Sequence, residues 1–345
     1  MAYTTIDKSS LHFNTKLYTG NGGNQTITGV GFQPDWVWFK ARDAAQSHAL
    51  VDIVRGTDKV LFSESVSAQG TISSQTFNSD GFALVQDGTA NSINSSGSTK
   101  VAWSWKAGGG QGSSNTDGSI NTTYTSANTT SGFSISTYSG NGSVGATVGH
   151  GLGAIPKMII VKRSNGASDW MVYHESIGND HRLRLNTTAA KQDNPVWNDT
   201  TPTSSVFSMN DNGDANASGG TYVAYCFAEK QGYSKFGSYV GNANADGTFV
   251  YTGFKPAFVL VKNTAIADNW SIFDNKRIGY NAFNYVLYAD ITNVGSNGLP
   301  MDILSNGFKW RTTAAMANGN SQQHIFMAFA EAPLVGSNNV PATAR

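Results

Sequence analysis

Apolar positions along this chain fall into short blocks that recur in the same order three times. Phe13, Thr15 and Leu17 alternate with His12, Asn14 and Lys16, and Phe133, Ile135 and Thr137 alternate with Ser134 and Ser136. A period of two marks a strand with one buried face. Each stretch runs into a Tyr-x-Gly-Asn, at Tyr18-Thr19-Gly20-Asn21 and Tyr138-Ser139-Gly140-Asn141, with a third copy at Tyr239-Val240-Gly241-Asn242. Gly-Asn accepts positive φ at little cost, so a turn is expected after each opening strand. Pro34, Pro156 and Pro256 follow 16 to 18 residues after the tyrosines, and Lys40, Lys162 and Lys262 stand six residues beyond the prolines. Between them lie unbroken apolar runs: Trp36-Val37-Trp38-Phe39, Met158-Ile159-Ile160-Val161 and Phe258-Val259-Leu260-Val261. Such runs predict central strands covered on both faces. Closing segments begin 67, 67 and 71 residues after the prolines, at Val101, Val223 and Met327.

A fixed internal period means an array of like modules. Each copy is close to 100 residues long, the size of an independent domain and too long for a solenoid repeat. The expected fold is all-β: three tandem antiparallel β-sandwich, jelly-roll-like modules at residues 10–107, 130–230 and 231–336. Residues 1–9 form an N-terminal arm and 337–345 a C-terminal tail. Residues 108–129, dominated by Gly, Ser, Asn and Thr, read as a linker or extended strap. No spacer separates the second and third modules, which are expected to pack as a rigid pair with the first set more independently. Helix signals are weak, Asp43 to Leu50 among them.

Composition narrows the function. Charged residues make up 13% of the 345, and 23 Lys plus Arg balance 23 Asp plus Glu. Nucleic acid and anionic membranes attract a cationic surplus, which is absent here. No apolar run reaches the length of a membrane-spanning helix, and Met1 to Ser10 has no signal-peptide core, so synthesis in a cytoplasm without Sec-type export is expected. The single Cys226 sits in an apolar segment and reads as a small buried hydrophobe.

Strings that could carry chemistry fail on context. Gly140-x-Gly142-x-x-Gly145 matches a dinucleotide fingerprint, yet Ala146 to Gly153 is no helix former, so a hairpin loop is expected. Asn210-Asp211-Asn212-Gly213-Asp214 could gather oxygens for calcium but has Ala215 and Thr221 where an EF-hand needs Gly and Glu. His174-Glu175 lacks a second histidine, and His12, His48, His150, His174, His181 and His324 show no metal-ligand spacing. No Gly-x-Ser-x-Gly elbow occurs. Sequons such as Asn121-Thr122-Thr123 and Asn128-Thr129-Thr130 follow from Asn and Thr richness. Trp36, Trp38, Trp103 and Trp105, and the matched Trp170 and Trp270, are expected in the core rather than on a sugar platform. The expectation is therefore no catalytic residue, no metal, no cofactor and no turnover, with receptor-binding residues undefined.

The repeats resemble the tail-fibre-type repeat proteins of marine tailed phages (cyanophage and pelagiphage type). The likeness rests on Tyr-x-Gly-Asn and on Gly31-Phe32-Gln33-Pro34 and Gly253-Phe254-Lys255-Pro256. It extends through Val148-Gly149-His150-Gly151-Leu152-Gly153, Tyr222 to Glu229, Tyr233 to Tyr239, Asp52 with Arg55-Gly56, and Phe77 to Phe82. It covers about residues 10 to 336. The resemblance implies β-sandwich adhesion modules on a virion, without catalysis, binding a host glycan or protein and other virion proteins. A homotrimer is implied by analogy with phage fibres. The chain enters its first module almost at once, without the anchoring and coiled-coil regions of many fibres. Besides a tail fibre or fibre tip, a head fibre or capsid decoration protein remains open, as does a carbohydrate-binding or carbohydrate-active module.

Overall fold

A computed structural model describes residues 4–85, 91–278 and 280–332. Each repeat contains four antiparallel strands in the spatial order opening, closing, central, companion strand, which form the whole sheet in the first unit and part of a seven- and an eight-stranded sheet in the second and third. In the first unit these are Phe13–Thr19, Thr99–Trp105, Trp36–Ala41 and Ala49–Asp52. In the second they are Phe133–Ser139, Thr221–Phe227, Met158–Arg163 and Met171–His174, and in the third Ser234–Val240, Gln323–Ala332, Lys255–Asn263 and Ser271–Asp274. The register is the same in all three: Trp36 faces Trp105, Met158 faces Phe227 and Phe258 faces Phe329. Lys40, Lys162 and Lys262 likewise face Val101, Val223 and Ile325, so the repeat seen in the sequence is a repeat in space, with Ile325 rather than Met327 the counterpart of Val101 and Val223.

A second, smaller layer of strands covers the outer face of each set of four and makes the unit a sandwich. It is Gln25–Thr28, Gly81–Leu84 and Thr76–Asn78 in the first unit, and Ala146–Gly149 with Val206–Met209 in the second. In the third, inner and outer strands join into one eight-stranded sheet ending at Phe249–Tyr251. There Thr248 Oγ1 donates to the Val240 carbonyl at 3.0 Å and nearly closes the sheet into a barrel.

The three inner sheets turn their other faces toward one another. Trp36 and Trp38, Met158 and Ile160, and Phe258 and Leu260 all enter one core. Val37 and Phe39, Ile159 and Val161, and Val259 and Val261 point the opposite way into three private cores. That is why the central runs are apolar without alternation: each strand lies between two cores. Closing-strand aromatics meet at the centre, with Trp105 and Phe329 ring centroids 5.8 Å apart and Phe227 and Phe329 6.2 Å apart. Trp36 of the first unit stacks on Tyr225 of the second at 4.5 Å, and Phe13 packs on Phe258 of the third at 5.6 Å. All eight tryptophans are fully buried, as expected for core residues.

Several expectations change. The units are not a rigid pair plus an independent third; all three share one core, because each inner sheet has a second apolar face that no single unit covers. The N-terminal arm is part of that core through Ile6. Residues 108–129 do not hang free: Thr122–Asn128 forms a strand on the outer edge of the second unit's opening strand. Its hydroxyls bind sideways, Thr125 Oγ1 to Ser136 Oγ at 3.0 Å, which compensates for its lack of apolar surface. Asp43 to Leu50 is no helix; Ala49 and Leu50 begin the companion strand. Pro34 and Pro156 stand two residues ahead of their central strands, whereas Pro256 lies inside its strand at a register shift, where a missing N–H is tolerated. The tail at 337–345 lies outside the described residues.

Tyr-x-Gly-Asn is a structural clasp. The tyrosine hydroxyl donates to the carbonyl of Ile93, Ala215 or Ala317, each in a one-turn helix. The motif's asparagine N–H donates to the side chain of Asn94, Asn216 or Asn318, the last residue of that helix. A Cβ on Gly20, Gly140 or Gly241 would meet a backbone oxygen at 2.3, 2.5 or 2.3 Å. Only glycine fits so close an approach.

Two predictions follow from this packing. Gly140→Ala lowers stability by about 1–3 kcal/mol through that clash, whereas Gly213→Ala, which has open space around it, changes it by less than about 0.5 kcal/mol; urea denaturation of both variants checks the contrast. Trp36→Ala, removing a ring shared by two units, costs about 3–5 kcal/mol. It is expected to lower one calorimetric transition for the whole molecule, and separate transitions for the three units would contradict the shared core.

Candidate functional site: the seams between units

Charge in the interior is concentrated where one unit meets the next. Lys40, Lys162 and Lys262 are fully buried. Each ammonium donates to the carbonyl six residues ahead in its own unit: Gln46 at 2.8 Å, Ser168 at 2.6 Å and Asp268 at 2.8 Å. Each also donates to a carbonyl of the preceding unit: Thr292 at 2.9 Å, Val66 at 2.8 Å and Thr188 at 3.0 Å. Four residues before each of those acceptors lies a second one. Trp170 Nε1 donates to the Phe62 carbonyl at 3.0 Å and Trp270 Nε1 to that of Arg184 at 2.9 Å. In the first unit His48 replaces the tryptophan; its Nδ1 accepts from Trp38 Nε1, so Nε2 carries the proton toward the Tyr288 carbonyl at 2.8 Å. First binds third, second binds first and third binds second, so the ring closes.

The opposite ends of the companion strands make a second set of links. Asp52 and Asp274 are buried against Arg55 and Arg277 of their own units. They accept a further bond from the following unit, Tyr225 Oη to Asp52 Oδ2 at 2.7 Å and Trp103 Nε1 to Asp274 Oδ2 at 3.0 Å. At the third seam the matching donor position is Met327, which has no strong donor, and the aspartate is replaced by His174. Its Nε2 lies 3.2 Å from the Phe326 carbonyl and Ile177 stands in the arginine's place. The substitutions agree with one another, since an aspartate buried without donors is costly.

Desolvation governs the titration of these groups. Burial pulls Lys40, Lys162 and Lys262 each down to about 8. It lowers His48 to about 3 and His174 to about 4, keeping both neutral at pH 7. Burial also lifts Asp35 and Asp290 to about 6. Asp35 accepts from the Ala107 and Gly109 amides at 2.6 and 3.0 Å and so ties the start of the 108–129 strap to the first unit.

An open groove of about 220 Å³ lies on the seam between the first and second units. Arg55, Gln69, Gln111, Tyr124, Thr137 and Thr221 line it, with Tyr124 half-exposed. It holds polar donors and acceptors beside one aromatic ring.

The strings weighed in the sequence do not converge. Gly140 to Gly145 is the loop between Phe133–Ser139 and Ala146–Gly149, with Gly142 and Gly145 at φ 70° and 75°. Asn210 to Asp214 leads into a one-turn helix: Asn212 caps the Asp214 amide at 2.9 Å and the Asn210 carbonyl accepts from Asn216. His174 Nδ1 accepts from Ser176 N, and His150, His324 and His12 lie elsewhere. Among the described residues no three His, Cys, Asp or Glu side chains gather as metal ligands. Cys226 is buried, its thiol pushed up by desolvation. The seam role of the lysines was missed, although their constant six-residue distance from the prolines was its signal.

Fold and seams define a closed ring of three β-sandwiches inside one chain. The chain belongs to the family described as a domain of unknown function, DUF7483, whose model matches residues 8–333. No curated protein matches it.

The seam lysines predict an alkaline rise in stability. Each releases its proton near pH 8 in the native state and near 10.5 in the unfolded chain. Between those values the unfolded chain binds more protons, so unfolding free energy climbs with pH from about 8 to 10. Above pH 10 the climb reverses, because burial holds Tyr18, Tyr138, Tyr225, Tyr233 and Tyr239 protonated only in the native state. Denaturation at a series of pH values reads the slope, and Lys262→Met is expected to reduce it. At pH 7 the same variant loses about 1–3 kcal/mol by leaving two buried carbonyls without a donor.

Proposed function

We propose that this chain is a non-enzymatic attachment module of a tailed-phage particle, carried in a tail fibre or at its tip. One observation carries the binding half of this reading. The three units spend their aromatic and charged interior on holding one another, and their open polar groove sits across a seam where Tyr124 offers a stacking face. A rigid ring with a groove of fixed shape suits recognition, since a preorganised surface loses little entropy on binding. The virion half rests on the sequence resemblance. The receptor class we assign is a host-surface glycan, whose hydroxyls match Gln69, Gln111, Thr137 and Thr221. Weak single sites of this kind gain avidity when several are tethered together, and a homotrimer is the assembly we propose.

Four measurements test the reading. Antibody against the chain is expected to label intact particles, at the tail; labelling of the head would favour capsid decoration, and no labelling would remove the virion role. Purified chain is expected to slow phage adsorption to its host, with Tyr124→Ala weakening that competition about tenfold or more. Light scattering is expected to give three times 36.6 kDa. Release of reducing sugar by the purified chain, lost on changing one Asp or Glu, would overturn the non-enzymatic assignment.

A further inference from the structure

The second unit's opening strand is flanked on both sides, by its closing strand and by the strap Thr122–Asn128. Among the described residues the first unit's opening strand, Phe13–Thr19, pairs on one side only, as does the third unit's. At the first-to-second seam the strap lies between the second unit's opening strand and the turn at Val54, with Thr123, Tyr124, Thr137 and Val54 all lining the groove. The same two walls stand at the third-to-first seam: Leu17 takes the place of Thr137 and Lys276 that of Val54. Between them is a cleft of about 340 Å³ lined by Asn14, Thr15, Lys16, Leu17, Gly29 and Lys276. We propose that this cleft accepts an extended strand of another polypeptide, added antiparallel to Phe13–Thr19 as the strap is added to Phe133–Ser139.

The edge is prepared for a ladder. His12 O accepts from Lys106 N and Gly20 N donates to Ser98 O, so the even-numbered residues bond the closing strand. Leu17, an odd one, therefore turns its N–H and C=O outward toward the cleft. The Thr15 amide is held meanwhile by the Asn14 side chain at 2.9 Å.

The second unit also defines the donor's chemistry. Ser126 of the strap faces Ile135, the counterpart of Thr15. Thr15 is 5% exposed and its hydroxyl has no partner, so a serine or threonine opposite it supplies the missing bond. Thr125 binds Ser136, the counterpart of Lys16. Lys16 and Lys276 line the cleft, and among the described residues no carboxylate does, Asp80 lying behind Gly29 near Lys16, so the donor residue at the Thr125 position is acidic. The partner is an extended strand with an acidic residue followed by a small hydroxyl residue. Strand addition of this kind draws affinity from main-chain bonds and specificity from alternate side chains. Such an edge would serve a fibre subunit or any other assembly, so it stands apart from the virion reading.

The test uses the full chain and two labelled heptapeptides: residues 122–128 as they stand, and the same peptide with Thr125→Glu. Fluorescence anisotropy is expected to show the glutamate peptide binding more tightly. Leu17→Pro removes an outward donor and no ladder bond within the sheet, and is expected to weaken both peptides about tenfold or more. Lys16→Glu is expected to reverse the preference between them, which a merely misfolded variant would not do. No binding of either peptide at about 1 mM, or binding indifferent to Leu17→Pro, would overturn the proposal. Two further outcomes would also overturn it by naming another occupant. Slow hydrogen exchange across Phe13–Thr19 in the monomeric chain would assign the edge to residues 333–345. A concentration-dependent mass abolished by Leu17→Pro would assign it to a second copy.

Discussion

An ammonium group taken out of water needs oxygen atoms arranged around it, and this molecule uses that need to hold its parts together. Lys40, Lys162 and Lys262 each find one carbonyl in their own unit and one in the unit before. Neither unit alone completes the set. A unit packed out of register would leave a buried ammonium half satisfied, so these bonds select one docking geometry even though burial itself disfavours the charge. The lysines therefore set the angle and the register at which apolar faces meet.

Packing follows from that constraint. With the seams fixed, the inner faces of three sheets close on one another, and Trp36, Trp105, Phe227, Phe258 and Phe329 fill the axis. The apolar content of each central strand then serves two cores at once. The units have diverged inside this frame without breaking it, as at Asp52, Asp274 and His174. Where the neighbour offers a hydroxyl or indole donor an aspartate accepts it, and where it offers a thioether a histidine turns to the backbone instead.

Symmetry is incomplete, and the departures are where binding surfaces lie. The strap after the first unit fills one seam and shapes a groove there with Tyr124 and Gln111. Among the described residues nothing fills the corresponding position at the third-to-first seam. Among the described residues, chain connectivity causes the difference, because the segment after the first unit pairs with the opening strand of the second.

Local order was legible in the sequence. Period-two alternation gave the opening strands at Phe13 and Phe133, unbroken apolar runs gave the central strands, and constant spacing from Pro34, Pro156 and Pro256 gave the threefold repeat with its matched lysines. All of these depend on neighbours along the chain or on identity between copies, which a linear string records. Tertiary structure alone decided that the three units share a core, since an apolar face says that it must be covered and not by what. It also decided that Thr122–Asn128, within the Gly- and Thr-rich segment, is a structural strand, because it is held to the following strand by backbone and hydroxyl bonds rather than by apolar neighbours. The seam groove and the open edge at Phe13–Thr19 arise where units far apart in sequence meet. Their chemistry belongs to the closure of the ring, which no single stretch of residues contains.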